Sequence, residues 1–295
     1  MTATTRRLHL LVAECEPAAG RARHAAALHA LGRTDEGFAG VLRKLAPDAE
    51  VALCHTADDG AALPDRAGLA DYDGIVFTGS ALNISDGMAP AIIRQCALMR
   101  TAFDVGLPVF GSCFGIQLAA VAAGGTVRRN PKGREFGVLR GAILSPDGAH
   151  HPLLHGRQDG FAALTIHGDE IATCPPGTMV LAGNAMSAVQ AMELRCGAGI
   201  FWGVQYHPEF SLADMAVIAA RLAPRLVDEG HFPTVEAAES WATALLALDA
   251  DPGRTDLASA HGIPAEILDP ILRQREIVNW LRYRVQPLAA QRGRG

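Results

Sequence analysis

The sequence predicts an α/β fold: a three-layer arrangement on a mostly parallel central sheet, followed by a C-terminal helical extension. Three observations predict it. Short apolar segments rich in Val, Ile and Leu recur along the 295 residues, with the length of strands rather than helices. Over the first 125 residues they alternate with stretches whose apolar residues have helical spacing, the pattern of βαβ units. After Gly230 only the helical spacing remains.

In chain order, strands are expected at Leu8–Ala13, Val51–His55, Gly74–Thr78, Pro108–Ser112, Val138–Leu144, Ala162–His167, Met179–Gly183, Ala188–Glu193 and Ile200–Gln205. The clearest intervening helices are Pro90–Phe103, Gly115–Ala123 and Leu212–Val227. Between residues 126 and 205 strands follow one another without comparable helices, which implies an antiparallel extension of the sheet. Beyond Gly230, Val235–Leu248 and Ala265–Val285 carry apolar residues at helical spacing, and DADPGRTD between them reads as a loop. The chain therefore divides into an α/β domain, 1–230, and a helical extension, 231–295. The helices carrying Trp241 and Trp280 read as amphipathic packing elements.

Composition narrows the function. Apolar residues make up 49% of the chain, enough for a sizeable core, and the formal net charge of −5 argues against general binding of nucleic acid or an anionic membrane. The one basic cluster, Arg273, Arg275, Arg282, Arg284, Arg292 and Arg294, lacks interleaved aromatic residues and reads as a solvated helix face and tail. The six cysteines show no C-x-x-C pairing or regular spacing, so they read as reduced thiols of a cytoplasmic protein. The start, MTATTRRLHLLVAECEP, superficially suggests a signal peptide. Its apolar run is short and Glu14 follows at once, so a first strand fits better. No run reaches the roughly 18 apolar residues of a membrane span.

One turn carries chemistry. In PVFGSCFGIQLAA, residues 108–120, an apolar β-branched run gives way to helical spacing, and Cys113 sits at the corner between Gly111 and Gly115. G-x-C-x-G is the thiol counterpart of the G-x-S-x-G nucleophile elbow. The helix N-terminus beneath it favours the thiolate. Taken alone, the motif reads equally well as a buried strand-end thiol. A second constellation shifts the balance: GVQYHPEF, residues 203–210, closes the last strand with His207-Pro208-Glu209. Residues two apart in extended chain share a side, so the carboxylate can orient the imidazole, as a general base requires.

With both motifs in hand, the chain resembles the class I (triad-type) glutamine amidotransferases over about residues 8–228, in particular stand-alone relatives of the GMP synthetase glutaminase domain. DYDGIVFTGSALNISD, residues 71–86, resembles the family's oxyanion-strand loop, and HPLLHGRQDGFAALTIHGDEIATCPPG, residues 151–177, its H-G-D region. The resemblance implies the family's flavodoxin-like fold and assigns roles by position. Cys113 would be the nucleophile, His207 the general acid/base and Glu209 its partner. Backbone N–H groups of Gly79 and Phe114 would form the oxyanion hole, and Gln117, His167, Asp169 and Ser80 would line the substrate. The loop departs from the family in reading Thr78-Gly79-Ser80 where many members carry Gly-Gly-Pro. Glu135, in GREFGV, falls in another family-like segment and reads equally as a surface carboxylate. His150, His151 and His155 lack an acidic or cysteine partner in the sequence, so no metal and no cofactor are expected.

The implied activity is hydrolysis of the glutamine γ-amide through a γ-glutamyl thioester, with ammonia passed to a separate synthetase; the chain contains no G-x-x-x-x-G-K-[ST] stretch of its own. The alternative is a self-sufficient hydrolase releasing glutamate and a polyamine, an alkylamine or an aromatic amine. An inactive regulatory binding protein is disfavoured, because all three triad positions are filled. The expected partner is a small-molecule substrate, glutamine or a γ-glutamyl amide, and a homo-oligomer stays open.

Overall fold

A computed structural model describes residues 7–293; Arg294 and the first six residues of the N-terminal segment lie outside the described residues. Eleven strands form: β1 His9–Glu14, β2 Glu50–His55, β3 Gly74–Phe77, β4 Pro108–Ser112, β5 Thr126–Arg129, β6 Glu135–Leu144, β7 Phe161–His167, β8 Asp169–Thr173, β9 Thr178–Gly183, β10 Ala191–Cys196 and β11 Gly199–Val204. Nine of them make one sheet in the order β2-β1-β3-β4-β11-β10-β9-β6-β7. The first five are mutually parallel and the rest are joined antiparallel. The parallel core and its antiparallel extension thus follow the sequence expectation. The short pair β5 and β8 forms a separate ribbon.

The three layers follow from side-chain alternation along the central strands. Leu11, Ala13, Ile75, Phe77 and Val109 face one core, with Met99, Phe103, Phe114 and Leu118. Those last four come from α4, Pro90–Val105, and α5, Phe114–Ala122, which follow α1 Ala18–Ala30, α2 Gly37–Leu45 and α3 Arg66–Ala70. Leu10, Val12, Val76 and Phe110 face the other core, where they meet Phe38 and Leu42 of α2 together with Ile277, Trp280 and Val285 from the far end of the chain. A third cluster joins α6, Leu212–Asp228, and α7, Val235–Ala250, to the outer strand β7.

The extension is therefore packed on the sheet in two places: 277–285 on its second face, and 242–267 with α6 against β7. Trp280 is fully buried, with its ring 5.9 Å from that of Phe110. A Cβ on Gly74 would lie 2.9 Å from the Trp280 ring, so only glycine lets the indole lie on β3. The segment 265–285, read as continuous helical spacing, is interrupted at Asp269 and Gln274 and runs unbroken only from Arg275 on. Asp269 is extended (φ −86°, ψ 114°) because a residue before proline is pushed out of the helical region, and Pro270 has no N–H to continue a helix. Among the described residues no helix is long and apolar enough to cross a membrane.

Candidate active site

Cys113 stands where β4 passes into α5, with φ 50° and ψ −101°. It is the one non-glycine with positive φ among the described residues. Such a conformation costs about 1–3 kcal/mol and persists only where the surroundings impose it. The flanking glycines show how they do so. A Cβ on Gly115 would lie 2.4 Å from the Phe77 carbonyl oxygen, and one on Gly111 would lie 2.8 Å from both the Gly115 backbone and the Phe201 ring. The helix start is thus pressed onto β3 and β4, and the thiol is lifted from the sheet. Cys113 is only 6% exposed, its Sγ–H lies 3.4 Å from the Ile166 carbonyl oxygen, and the residue lines a large cavity.

His207 faces it. The two meet across Gly79, where a Cβ would lie 2.7 Å from His207 Cε1 and 3.7 Å from Cys113 Cβ. His207 Nδ1 lies 2.8 Å from Glu209 Oε1, while Nε2 is buried and bonded to no described residue. The pairing is made by the turn beyond β11, which ends at Val204, and not by alternation along a strand. Phe210 stacks on the imidazole at 3.9 Å between ring centres and an 8° tilt, and Ser112 Oγ donates to Glu209 Oε1 at 2.9 Å. Burial works against charge on the His207 ring. The facing Cys113, and after it the Glu209 carboxylate, more than offset that burial and push the pKa up to about 10, which favours the protonated ring.

Among the described residues neither the Gly79 nor the Phe114 backbone N–H meets a backbone acceptor, so both are available to a developing oxyanion. The loop that carries Gly79 is tied to the end of β1. Thr78 Oγ1 donates to Glu14 Oε1 at 2.8 Å, Ser80 Oγ to Glu16 Oε2 at 3.3 Å, and the Ala81 N–H to the same Glu16 oxygen at 2.5 Å. Two carboxylates thus hold in place a loop that lacks the family's proline. Burial raises the pKa of Glu14.

The remaining expected site residues also line the cavity, yet their polar atoms are largely engaged with the protein. Gln117 Nε2 donates to the Asp169 carbonyl and to Gln205 Oε1, at 3.1 and 3.2 Å. Asp169 accepts from Ser85 Oγ at 2.7 Å and from the Ser85 N–H at 3.0 Å. His167 spends Nδ1 on the Asp169 carbonyl and Nε2 on Glu135, each at 2.9 Å. Glu135 is buried rather than on the surface. Burial opposes its charge, but His167, Asn184 and Gln190 hold its pKa below the usual carboxylate range.

Sequence reading missed Ser112, Phe210, Glu14 and Glu16. Phe210 lies inside the quoted GVQYHPEF, and Ser112 immediately precedes the cysteine, so only the partners, not the positions, were hidden. His151 does have an acidic partner in space, Glu193 at 3.1 Å. Among the described residues the donor triad within metal-binding reach is His24, Asp35 and Asp214. Asp214 Oδ1 already meets His24 Nε2 at 2.9 Å, and its Oδ2 closes the capping box of α6 with Ser211.

Comparison with known proteins points to one family. Residues 41–220 match the family "glutamine amidotransferase class-I". A gamma-glutamyl-L-1-hydroxyisopropylamide hydrolase from a Pseudomonas species is 37% identical over 229 residues, 76% of each chain. One subunit of a glutamine-hydrolysing GMP synthase from Methanoculleus marisnigri is 34% identical over 119 residues, 40% of this chain and 61% of that protein. Against the GMP synthase of Symbiobacterium thermophilum, 34% identity extends over 140 residues, 48% of this chain but only 25% of that protein. Among solved structures, a glutamine amidotransferase from Methylobacillus flagellatus superposes with a TM-score of 0.61 over 95% of both chains at 20% identity. One from Thermotoga maritima gives 0.59 over 84% of this chain and 98% of that one at 18% identity, and both likenesses speak for the fold alone.

Proposed function

This chain belongs to the class-I glutamine amidotransferase family, and from that membership we propose that Cys113, His207 and Glu209 hydrolyse the γ-amide of glutamine through a γ-glutamyl thioester. The Cys113 thiolate attacks the γ-carbonyl carbon, and the N–H groups of Gly79 and Phe114 receive the oxyanion, each worth about 3–4 kcal/mol of barrier. His207 Nε2 protonates the leaving nitrogen as the C–N bond breaks and the thioester forms. The neutral imidazole then takes a proton from water, whose oxygen attacks the thioester and releases glutamate and thiolate. Glu209, steadied by Ser112, keeps Nε2 aimed at sulfur through both steps.

The observation that carries this reading is the buried, unpartnered Nε2 of His207 facing the one left-handed cysteine corner. Glutamate release from glutamine by the wild-type protein, and its loss in Cys113→Ala, tests it. Equal rates in the two proteins would remove the nucleophile. Residues 1–230 carry this chemistry, and the helical extension that follows forms a structural wall behind it. Six free cysteines suit a reducing compartment, and we place the protein in the cytoplasm.

The fate of the nitrogen divides two readings. As an amidotransferase the protein would pass ammonia to a separate synthetase, an arrangement supported by its likeness to one component of a GMP synthase built from separate chains. A cavity of about 960 Å³, far more than glutamine needs, favours the second reading, a stand-alone γ-glutamyl amide hydrolase. Likeness over three quarters of its length to a hydrolase of such an amide supports it too. Turnover of substituted amides by the isolated protein decides between them.

A further inference from the structure

We propose that the arm of the cavity leading away from Cys113 is a carboxylate-binding site centred on Arg273, which selects γ-glutamyl amides whose nitrogen substituent ends in a carboxylate. The proposal rests on the triad reading above. The cavity, about 960 Å³, lies at the upper end of the roughly 300–1,000 Å³ usual for ligand pockets, and glutamine offers only about ten non-hydrogen atoms to fill it. The triad and Asp249, Pro270, Arg273 and Gln274 of the C-terminal segment line the same cavity, as the two ends of the proposed site.

The first turn of α6 joins the two ends. It begins at Leu212, five residues after His207, and places Asp214 against His24 at 2.9 Å. The Ala213 N–H in the same turn points at Asp249 Oδ1, 3.4 Å away. Arg273 interacts electrostatically with both aspartates and lines the same cavity as the triad.

Arg273 is short of acceptors. It is only 7% exposed, its Nη1 donates to the Ile267 carbonyl at 2.5 Å, and its Nε is buried with no acceptor among the described residues. Burial pulls the guanidinium pKa below its usual value, and Asp249, Asp214 and Asp269 only partly offset this. The first two already serve other partners: Asp249 pairs with Arg33, and Asp214 with His24 and the cap of α6. Arg273 Nη2 makes no hydrogen bond among the described residues, and a guanidinium with those donors to spare on the wall of an open cavity is matched by a carboxylate. A cationic substituent would meet the Arg273 guanidinium with like charge, and a neutral one would leave the donors unmet. Between the two ends, Leu28, Phe38, Ile218 and Leu222 provide an apolar wall for the connecting carbons.

The test is a kcat/KM panel on the isolated full-length protein. It compares γ-glutamyl amides of ω-amino carboxylic acids, of n-alkylamines of matched length and of ω-diamines, with glutamine alongside. The carboxylates are expected to exceed their neutral isosteres by about tenfold or more, the equivalent of one charge-assisted contact. Arg273→Gln is expected to bring that ratio close to one, and Arg273→Lys to keep part of it. The ratio compares two substrates on one protein, so partial misfolding scales both rates alike. If Arg273→Gln does not accumulate, a reduced ratio in Arg273→Lys supports the site and an undiminished one overturns it. Glutamine turnover with a wild-type ratio near one, or a ratio unchanged in Arg273→Gln, overturns the carboxylate site and leaves the triad standing. No turnover of glutamine or of any amide overturns both.

Discussion

Replacing Glu276 with Gln tests whether the C-terminal segment holds the catalytic turn in place. Glu276 is fully buried; its Oε1 accepts from Arg157 Nε at 2.7 Å and from Tyr206 O–H at 2.8 Å, and its Oε2 accepts from Arg157 Nη2 at 3.0 Å. Tyr206 immediately precedes His207, so a carboxylate 70 residues further along the chain anchors the strand end that presents the imidazole. Glutamine keeps the shape and removes the charge, leaving Arg157 with Glu266, 3.4 Å away on a side chain that is one-third exposed. Breaking a buried pair on one side costs about 3–5 kcal/mol. Against a domain stability of about 5–15 kcal/mol, that is a large share. Arg157→Met combined with Glu276→Leu leaves neither buried partner facing a lost one, and in a double-mutant cycle it is expected to cost less than the sum of those two single variants. Urea unfolding measures the stabilities, and glutamate release from the folded fraction measures kcat, which is expected to fall in the single variant while KM moves little. A loss under about 1 kcal/mol with kcat unchanged, or a double variant as unstable as the sum of the singles, would refute the anchoring argument.

Three further expectations follow from the site. Gly79→Ala would put a methyl 2.7 Å from His207 Cε1, so steady-state kinetics should show kcat down about 100-fold or more, as when an oxyanion donor is lost, with thermal stability changed far less. Ser112→Ala removes the hydroxyl that steadies Glu209, and kcat should drop about tenfold with KM unchanged, a loss that Ser112→Thr partly restores. The His207 ring, raised to about 10 in the fold from about 6.5 in the unfolded chain, contributes stability fully present below about pH 6.5 and lost as pH rises through about 10. Because Cys113 is the largest of the raising influences, NMR titration of the ring in Cys113→Ala should find its pKa lowered; an unmoved ring would contradict that coupling.

What the sequence made legible was local. A cysteine between two glycines at a change of periodicity announces a corner, and His-Pro-Glu announces a pair, because each device is contained in a few consecutive residues. The central parallel strands were equally readable, since burial on both faces makes them apolar throughout. β5 and β8 went unread because TVRR and DEIAT are short and charged, paired in a ribbon outside the main sheet. α1 was missed for a related reason: only Gly20 and Leu28 of its thirteen residues are buried, so no apolar stripe marks it. Long-range wiring left no trace either. Nothing in the order of residues says that Glu276 meets Tyr206, that Glu135 holds His167, or that Glu14 and Glu16 pin the Thr78-Gly79-Ser80 loop. Those contacts join sites that only the folded sheet brings together.

The most direct measurement is of the covalent intermediate. Wild-type protein mixed with glutamine, quenched in acid within a turnover and digested, should yield the peptide around Cys113 heavier by one γ-glutamyl group, an adduct released by hydroxylamine as a thioester would be. Cys113→Ala should yield none, and Glu209→Gln should accumulate less in the same interval. A γ-glutamyl adduct on any other residue, or steady glutamate release with no adduct at Cys113 under conditions that trap thioesters, would contradict the account.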